Sequence, residues 1–406
     1  MKNIIVIGGG FGGVYATKRL LHYFKHDEVC ITLINKTNYF LFVPMLHEVA
    51  TGSLSGYNIT EPLREILHGT HFRFIKCEVQ SIDLRNKTLH IHSDTLHYDY
   101  LVIATGSRSS HNIPGAEKFT LPLKTLEHAK HIKNHIIESI EYAFQSDDEK
   151  EKIKYATLAV IGAGATGIEF SIEAKELLDQ LLKSNADNTT ASRVILIHSH
   201  SEILSQFPQL RIDAVKALKK HNIELVLNDK VTKVEQHKLT MKDGRVIDAA
   251  TIIWTAGIEA NSIPTTPKAA DKNGKFIVNE FLQLPLYPEV FAVGDCASYT
   301  QQGKDHPMPA LAQVAAEAGK HVAKNIYFLC HQKELEPFMY ELRGILLSLG
   351  RRKGAGIIKG IKIKGFPAWF IMRTIYLFKI IGTVNKLKTA YEWTLNLFSK
   401  RDTSQH

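Results

Sequence analysis

Two stretches of this chain space their glycines as a dinucleotide cradle does. The first is Gly8-Gly9-Gly10-Phe11-Gly12-Gly13, behind the apolar run Ile4-Ile5-Val6-Ile7. The second is Gly162-Ala163-Gly164-Ala165-Thr166-Gly167, behind Leu158-Ala159-Val160-Ile161. In each G-x-G-x-x-G, the first glycine permits the tight turn and the second lets the backbone approach a pyrophosphate. The third lets the following helix lie close to the strand, its N-terminal dipole facing the phosphates. One such motif is weak evidence. Two, each behind a strand, predict two nucleotides held face to face, which is what hydride transfer between a nicotinamide and a flavin requires.

The elements that must position these turns follow from the pattern. Residues 1–110 read as a βαβ unit with further strands at 29–34, 72–79, 88–92 and 100–104. Residues 124–144 read as a helix, 145–151 as a charged connection, and 155–197 as a second βαβ unit containing a polar loop at 183–192. The apolar strand ending in Ala104-Thr105-Gly106 is echoed by Trp254-Thr255-Ala256-Gly257, so the chain looks like a duplicated nucleotide-binding plan. A buried strand over 290–297 ends in Gly294-Asp295, and 309–329 reads as a helix with proline near its start. The fold class expected is α/β, with two Rossmann-like dinucleotide-binding domains and an amphipathic C-terminal segment.

At 406 residues and 44% hydrophobic content the chain can bury two or three domain-sized cores. The cysteines at 30, 77, 296 and 330 form no C-x-x-C pair and no metal-ligand spacing, so no metal site is expected and a reducing compartment is. The first strand begins at residue 3 or 4 with no leader before it, which predicts an N-terminus facing the cytosol. Nowhere do about 18 uninterrupted apolar residues occur, which argues against a spanning helix. The net charge of +9 is concentrated in residues 336–406, which hold 13 Lys/Arg against 4 Asp/Glu. A basic tail on a neutral body favours an anionic surface. With no recognition motif accompanying the charge, a nucleic acid partner is not expected.

The joint pattern resembles the type II (alternative) NADH:quinone oxidoreductases among the two-dinucleotide flavoproteins. The residues that carry this are both fingerprints, Phe42-Val43-Pro44-Met45-Leu46-His47-Glu48-Val49-Ala50-Thr51-Gly52, Trp254-Thr255-Ala256-Gly257, Val293-Gly294-Asp295-Cys296-Ala297, Ala312-Gln313-Val314-Ala315 and the tail from Gly365-Phe366-Pro367-Ala368-Trp369 to Trp393-Thr394-Leu395. The resemblance implies FAD over Gly8, Gly10, Phe11, Gly12 and Gly13, with its ribose at Asn35 and Lys36, and Val79, Ala104, Thr105 and Gly106 beside the cofactor. It places Asp295 on the ribityl chain, where an acid accepts from hydroxyls, against the plainer reading of a turn residue capping the next segment. Ala312 and Gln313 would sit under the isoalloxazine at a helix start. NADH would lie over Gly162, Gly164, Thr166 and Gly167, flanked by Thr255, Ala256 and Gly257. Glu169 would reach the nicotinamide or flavin edge, the alternative being a first-turn acid favoured by the helix dipole; Glu169 and Gln313 are the catalytic candidates. The implied domains are 1–112 and 272–335 for FAD, 113–271 for NAD(P)H, and 336–406 for membrane association.

Three positions depart from the pattern. Asn35 stands where an acid usually binds the flavin-side ribose, and His198 where an acid binds the nicotinamide-side ribose. Losing the second carboxylate removes the repulsion of a 2′-phosphate, so NADPH is admitted beside NADH as the main donor. Glu317 stands where a glutamine is common.

The acceptor follows by exclusion and from the tail. Residues 37–54 contain no cysteine, so the C-x4-C pair of disulfide reductases is absent, and a lone Cys296 is more simply a small hydrophobe. Residues 368–381 hold Trp369, Phe370, Ile371, Met372, Ile375, Leu377, Phe378, Ile380 and Ile381, interrupted by Arg373 and Lys379. A second stripe places Leu387, Ala390, Tyr391, Leu395 and Phe398 together, fringed by Lys386, Lys388, Lys400 and Arg401. Short amphipathic helices with aromatics and a basic fringe describe a segment lying in a lipid interface, with a helical cap or a homodimer interface as the alternatives. The expectation is a peripheral enzyme on the cytoplasmic face of the inner (plasma) membrane, passing electrons from NADH through FAD to quinone. A soluble-acceptor reductase and a flavin-loaded redox sensor remain as competing readings.

Overall fold

The computed structural model describes residues 1–92, 94–185, 190–397, 399 and 401–405. Its helices of ten or more residues are α1 (Phe11–Tyr23), α2 (Leu126–Gln145), α3 (Ala165–Leu182), α4 (Arg211–Lys220), α5 (Ala312–Cys330), α6 (Phe366–Lys379) and α7 (Thr383–Leu395). The chain divides into two compact units.

The first unit comprises Met1–Leu41, Thr60–Arg108 and Ile258–Leu342. Its main sheet runs in the order Gln283–Leu284, Tyr287–Ala292, Tyr100–Ile103, Lys2–Ile7, Val29–Asn35, Phe72–Lys76. The strands of this sheet are parallel apart from the Gln283–Leu284 edge. Its central strands are largely apolar, with Ile4, Val6, Ile31, Leu33, Leu101, Val102 and Phe291 fully buried, as a sheet covered on both faces demands. Helices α1 and α5 pack so closely that a Cβ on Gly319 would stand 2.2 Å from the Gly12 carbonyl oxygen.

The second unit comprises Phe42–Ile59, Ser109–Gly257 and Arg343–His406. It holds a parallel sheet in the order Leu121–Pro122, Thr251–Trp254, Thr157–Ile161, Arg193–Ile197, Glu224–Val226. Two antiparallel meanders accompany it. The first, Val231–Glu235, Lys238–Met241 and Val246–Asp248, covers a core of Ile195, Ile197, Leu239 and Trp254. The second is Gly344–Ser348, Gly354–Ile358 and Ile361–Gly365.

Several expectations change. The strand expected over 72–79 is two: Phe72–Lys76 ends in the main sheet, where the Cys77 N–H turns to the Asn35 carbonyl, and Val79–Asp83 starts another sheet. The charged connection at 145–151 contains the start of a short helix, Glu149–Tyr155, because the Asp148 carboxylate accepts from the Lys150 N–H and caps it. The helix expected from Pro309 begins at Ala312, after a tight turn in which the Leu311 N–H bonds back to the Pro309 carbonyl. The second meander lies in the stretch expected only as part of a membrane-association segment; its glycines hid its period-2 alternation. Part of the expected loop at 183–192, and the tail residues Phe398 and Lys400, fall outside the described residues.

Candidate functional site: two glycine cradles and a buried acid

The first cradle is built by sterics. Gly8 has φ +109°, and a Cβ there would meet the Ala104 carbonyl oxygen at 2.2 Å. A Cβ on Gly13 would meet the Gly8 carbonyl oxygen at 1.8 Å, so the first and third glycines are forced by the protein's own packing. Gly10 differs: a Cβ there would meet nothing within 4 Å, and no side chain caps the helix it begins. The space beside Gly10, at a helix N-terminus, is where a pyrophosphate fits. Phe11 is half-buried beside it, its ring edge-on to Phe40 at 5.0 Å.

Asn35, at the end of its strand, accepts the Gly9 N–H on Oδ1 at 2.8 Å and donates through Nδ2 to the Thr37 carbonyl at 2.9 Å. Lys36 is exposed and paired with Glu78 at 2.6 Å, and Val79 is buried. Thr105 donates to the Asn261 carbonyl at 2.6 Å, and Asn261 returns a bond to the Thr105 carbonyl at 3.1 Å. These bonds hold Ala104-Thr105-Gly106 in place, with open space at the position of a Gly106 Cβ. Asp295 lies in a 3-10 turn, Gly294–Cys296, and accepts from the Ser107 hydroxyl at 2.6 Å. Ala312 and Gln313 are the first two residues of α5, and the Tyr340 hydroxyl donates to Gln313 Oε1 at 3.1 Å. Glu317, one turn later, pairs with Lys320 at 3.0 Å. The residues expected to hold FAD thus gather in one unit around an open glycine backbone, and they fit that cofactor.

The second cradle repeats the design. A Cβ on Gly162 (φ +111°) would meet the Ala256 nitrogen at 2.8 Å, and one on Gly167 the Gly162 carbonyl oxygen at 1.9 Å. A Cβ on Gly164 would meet nothing within 4 Å, and Thr166 is exposed beside it. The Thr255 hydroxyl donates to the Ile161 and Gly162 carbonyls at 3.0 and 2.9 Å, clamping the turn from the neighbouring strand end, while Gly257 (φ +78°) lets that strand end turn away. His198 follows the strand Arg193–Ile197, its Nδ1 accepting from the Ala163 N–H at 3.4 Å.

Glu169 is the fifth residue of α3 and is buried. Its Oε1 accepts the Ser348 N–H at 2.8 Å, and its Oε2 stands 4.0 Å from His47 Nδ1. Burial pushes this carboxyl above its usual range, outweighing the pull of His47 and the Ser348 N–H, and Glu48 and Glu173 push the same way. The result is a buried carboxyl whose protonated form is favoured more than that of an exposed one. Tyr376 shares the neighbourhood; burial, then Glu169 and Glu48, raises its phenol above the usual value. Glu48 accepts from Arg373 and from the Trp393 indole.

His47, Ser348, Arg373 and Tyr376 went unassigned in the sequence. Nothing local marks them: 179 residues separate Ser348 from Glu169, and 325 separate Arg373 from Glu48. The tail also needs correcting. Trp369, Met372 and Ile380, counted with a lipid-facing set, are buried in the second unit, and Arg373 is no mere interruption of an apolar run but the half-buried ion-pair partner of buried Glu48.

Two such cradles in one chain define the two-dinucleotide oxidoreductase architecture. The pyridine nucleotide-disulphide oxidoreductase family model matches residues 2–319. The chain is similar to the type II NADH:quinone oxidoreductase Ndh of Mycobacterium tuberculosis, at 32% identity over 98% of this chain and 88% of that protein. It is also 28% identical to the type II NADH:quinone oxidoreductase of Staphylococcus haemolyticus, over 94% of this chain and 96% of that one. Among solved structures it matches NDH2 of Plasmodium falciparum in complex with NADH, with a TM-score of 0.89 and 18% identity over 99% of both chains, a likeness of fold. The chain belongs to the pyridine nucleotide-disulphide oxidoreductase family and, within it, to the type II NADH:quinone oxidoreductases.

Proposed function

We propose that this protein is a non-proton-pumping, FAD-dependent NADH:quinone oxidoreductase. The observation that carries it is the pair of glycine cradles, each with a backbone opening at its middle glycine, in a chain of this family. Bound FAD would supply the redox chemistry, accepting a hydride from NADH and giving up two electrons, with two protons, to the quinone. The chain's own residues orient and tune. Gly8, Gly10, Phe11, Gly12 and Gly13 would seat the FAD pyrophosphate, Asn35 and Lys36 its ribose, and Asp295 its ribityl hydroxyls. The start of α5 at Ala312 and Gln313 would favour negative charge on the isoalloxazine. Gly162, Gly164, Thr166, Gly167 and the Thr255-Ala256-Gly257 strand end would seat NADH. Glu169, poised by burial, would hold a proton for the reaction. The test is rapid-mixing absorbance: the yellow holoprotein should bleach with NADH and recover with a water-soluble quinone. A colourless protein unable to take up FAD would overturn the reading.

The docking of the tail on lipid belongs to the same proposal. No helix among the described residues is long and apolar enough to cross a membrane. In α7 the usual amphipathic order is reversed: Asn385, Thr389 and Trp393 are buried, while Leu387 and Tyr391 stand 67% exposed and Leu395 45%. In α6, Phe366, Phe370 and Phe378 are exposed as well. Exposed aromatic and aliphatic residues fringed by Lys379, Lys386 and Lys388 fit the interface of an anionic leaflet. Peripheral attachment to the cytoplasmic face of the plasma membrane follows from that reading. A homodimer covering the same face is the competing outcome. Vesicle flotation with a monomeric mass in solution supports docking, and a stable dimer that ignores vesicles opposes it.

A further inference from the structure

Residues 334–342 of the first unit form neither helix nor strand, yet they are laced to the protein at alternate positions. The Glu336 N–H bonds to Asn325 Oδ1 at 3.1 Å, the Glu336 carbonyl accepts from Asn325 Nδ2 at 2.9 Å, and the carboxylate pairs with Lys324 at 2.6 Å. Next, the Phe338 N–H bonds to the Glu280 carbonyl at 2.7 Å, and the Phe338 carbonyl accepts the Tyr299 hydroxyl at 2.5 Å. Last, the Tyr340 N–H bonds to Oε1 of the buried Gln301 at 3.1 Å, and its ring lies parallel to that of Phe338 at 6.4 Å. The segment is thus a strap running back along α5 from Asn325 to the start of the helix. There the Tyr340 hydroxyl meets Gln313 Oε1 at 3.1 Å, across 27 residues of chain that give no sign of the contact.

What the strap delivers is an orientation. Gln313 is the second residue of α5, in the turn whose backbone N–H groups have no acceptor within the helix. A glutamine in a first turn can bend its amide oxygen back onto such groups, as the capping box does. Here that oxygen is engaged elsewhere. A neutral phenol donates and the amide oxygen accepts, so Tyr340 commits Oε1 to the strap, and no side chain caps α5. The positive end of the helix dipole therefore stays turned towards any negative charge placed before it. Glu317, the acid one turn further on, is paired with Lys320 at 3.0 Å and sets little charge against that end.

We propose that Tyr340 is a positioning residue for the flavin site: its hydroxyl holds the Gln313 amide oxygen off the first turn of α5, which keeps that helix end available to the reduced isoalloxazine. This rests on the reading that the first unit binds FAD. The test is the midpoint potential of the FAD-loaded protein, titrated with dithionite against a dye of known potential, so that neither NADH nor quinone is needed. Tyr340→Phe keeps the ring and the backbone bonds of the strap, and FAD absorbance and the urea midpoint verify that the variant is loaded and folded. The ratio of affinities for reduced and oxidised FAD should fall about tenfold, which lowers the midpoint by about 30 mV for two electrons. In a Gln313→Leu background no amide oxygen can swing back. The same Tyr340→Phe change should there alter the ratio by less than about twofold, because residues acting through one contact are not additive. A midpoint unmoved by Tyr340→Phe, or lowered equally in both backgrounds, overturns the proposal. A wild-type protein that takes up no FAD would instead overturn the cofactor assignment on which it rests.

Discussion

Arg373, on α6, donates from Nη1 to Glu48 Oε2 at 2.5 Å, where the Glu48 side chain is 2% exposed and the Arg373 side chain 13%. The guanidinium also lies over the Trp393 ring at 4.2 Å and the Trp369 ring at 5.4 Å. A charge this deeply buried is tolerated only while paired. Arg373→Ala should therefore destabilise the second unit by about 3–5 kcal/mol, because Glu48 is left without its cation. Arg373→Met combined with Glu48→Gln should recover much of that loss, since neither partner is then charged. Urea unfolding of the single and double variants measures both effects, and a double variant no better than the single would refute the account.

The glycines separate folding from binding. Gly13→Ala and Gly167→Ala should damage the fold, since the added carbon falls within 2 Å of a carbonyl oxygen in each cradle. Gly10→Val and Gly164→Val place their side chains in open space, so circular dichroism should be unchanged. Their losses should be selective. Gly10→Val should purify colourless, while Gly164→Val should stay yellow and fail to bleach with NADH.

That contrast also marks what the sequence could reveal. The cradles are legible because a turn of a few residues dictates its own glycines, and Thr105 and Thr255 repeat at comparable offsets. Asp295 and Ala312-Gln313 are legible by resemblance, and their placement beside Ser107 and at the first residues of α5 follows from strands that the apolar runs already mark. The surroundings of Glu169 are not legible, because Ser348 reaches it from a glycine-rich meander with no clear alternation, and His47 from the short helix Leu46–Ala50, far away in the chain. In the tail, hydrophobicity alone could not say which apolar residues face the protein. Trp369 and Leu387 look equally greasy in sequence, yet one is buried and the other 67% exposed.

Acid and base should act oppositely on the carboxylates of α3. Burial would raise Glu173, but Arg401, His47, Arg373 and the Ser53 hydroxyl together hold it below the usual range. A lowered carboxyl adds stability that is present above the ordinary carboxylate range and is lost as pH falls through the lowered value. Glu169 is raised, so its cost is absent in acid and grows as pH climbs from the ordinary range through the raised value. Relative to wild type, Glu169→Gln should thus gain stability as the solution moves from acidic to alkaline. Arg401→Met should lose stability on the neutral side, most of it returning in acid. Urea midpoints of the three proteins across that span test the signs, and parallel curves would contradict them.

Docking on lipid calls for point substitutions in place of truncation. Removing residues 366–406 would take away Arg373 and Trp393, which hold the buried Glu48, and Arg401, which pairs with Glu173 at 2.7 Å. Lost membrane binding would then be inseparable from unfolding. Leu387 and Tyr391 lie one helical turn apart on the exposed side of α7 and belong to no such network. Burying a side chain of this size in an apolar phase contributes about 1.5–3 kcal/mol. Replacing both with glutamate should therefore weaken partition into anionic vesicles by at least about a hundredfold. Urea stability and NADH oxidation with a water-soluble quinone should be unchanged, whereas turnover with a vesicle-embedded quinone should fall in step with binding. Trp393→Glu, on the opposite side of the same helix, should instead destabilise the unit, since it adds a carboxylate beside Glu48. If the exposed pair could be changed with no loss of vesicle binding, the lipid-facing assignment of α7 would be wrong, and a second copy of the chain would be the better occupant of that face.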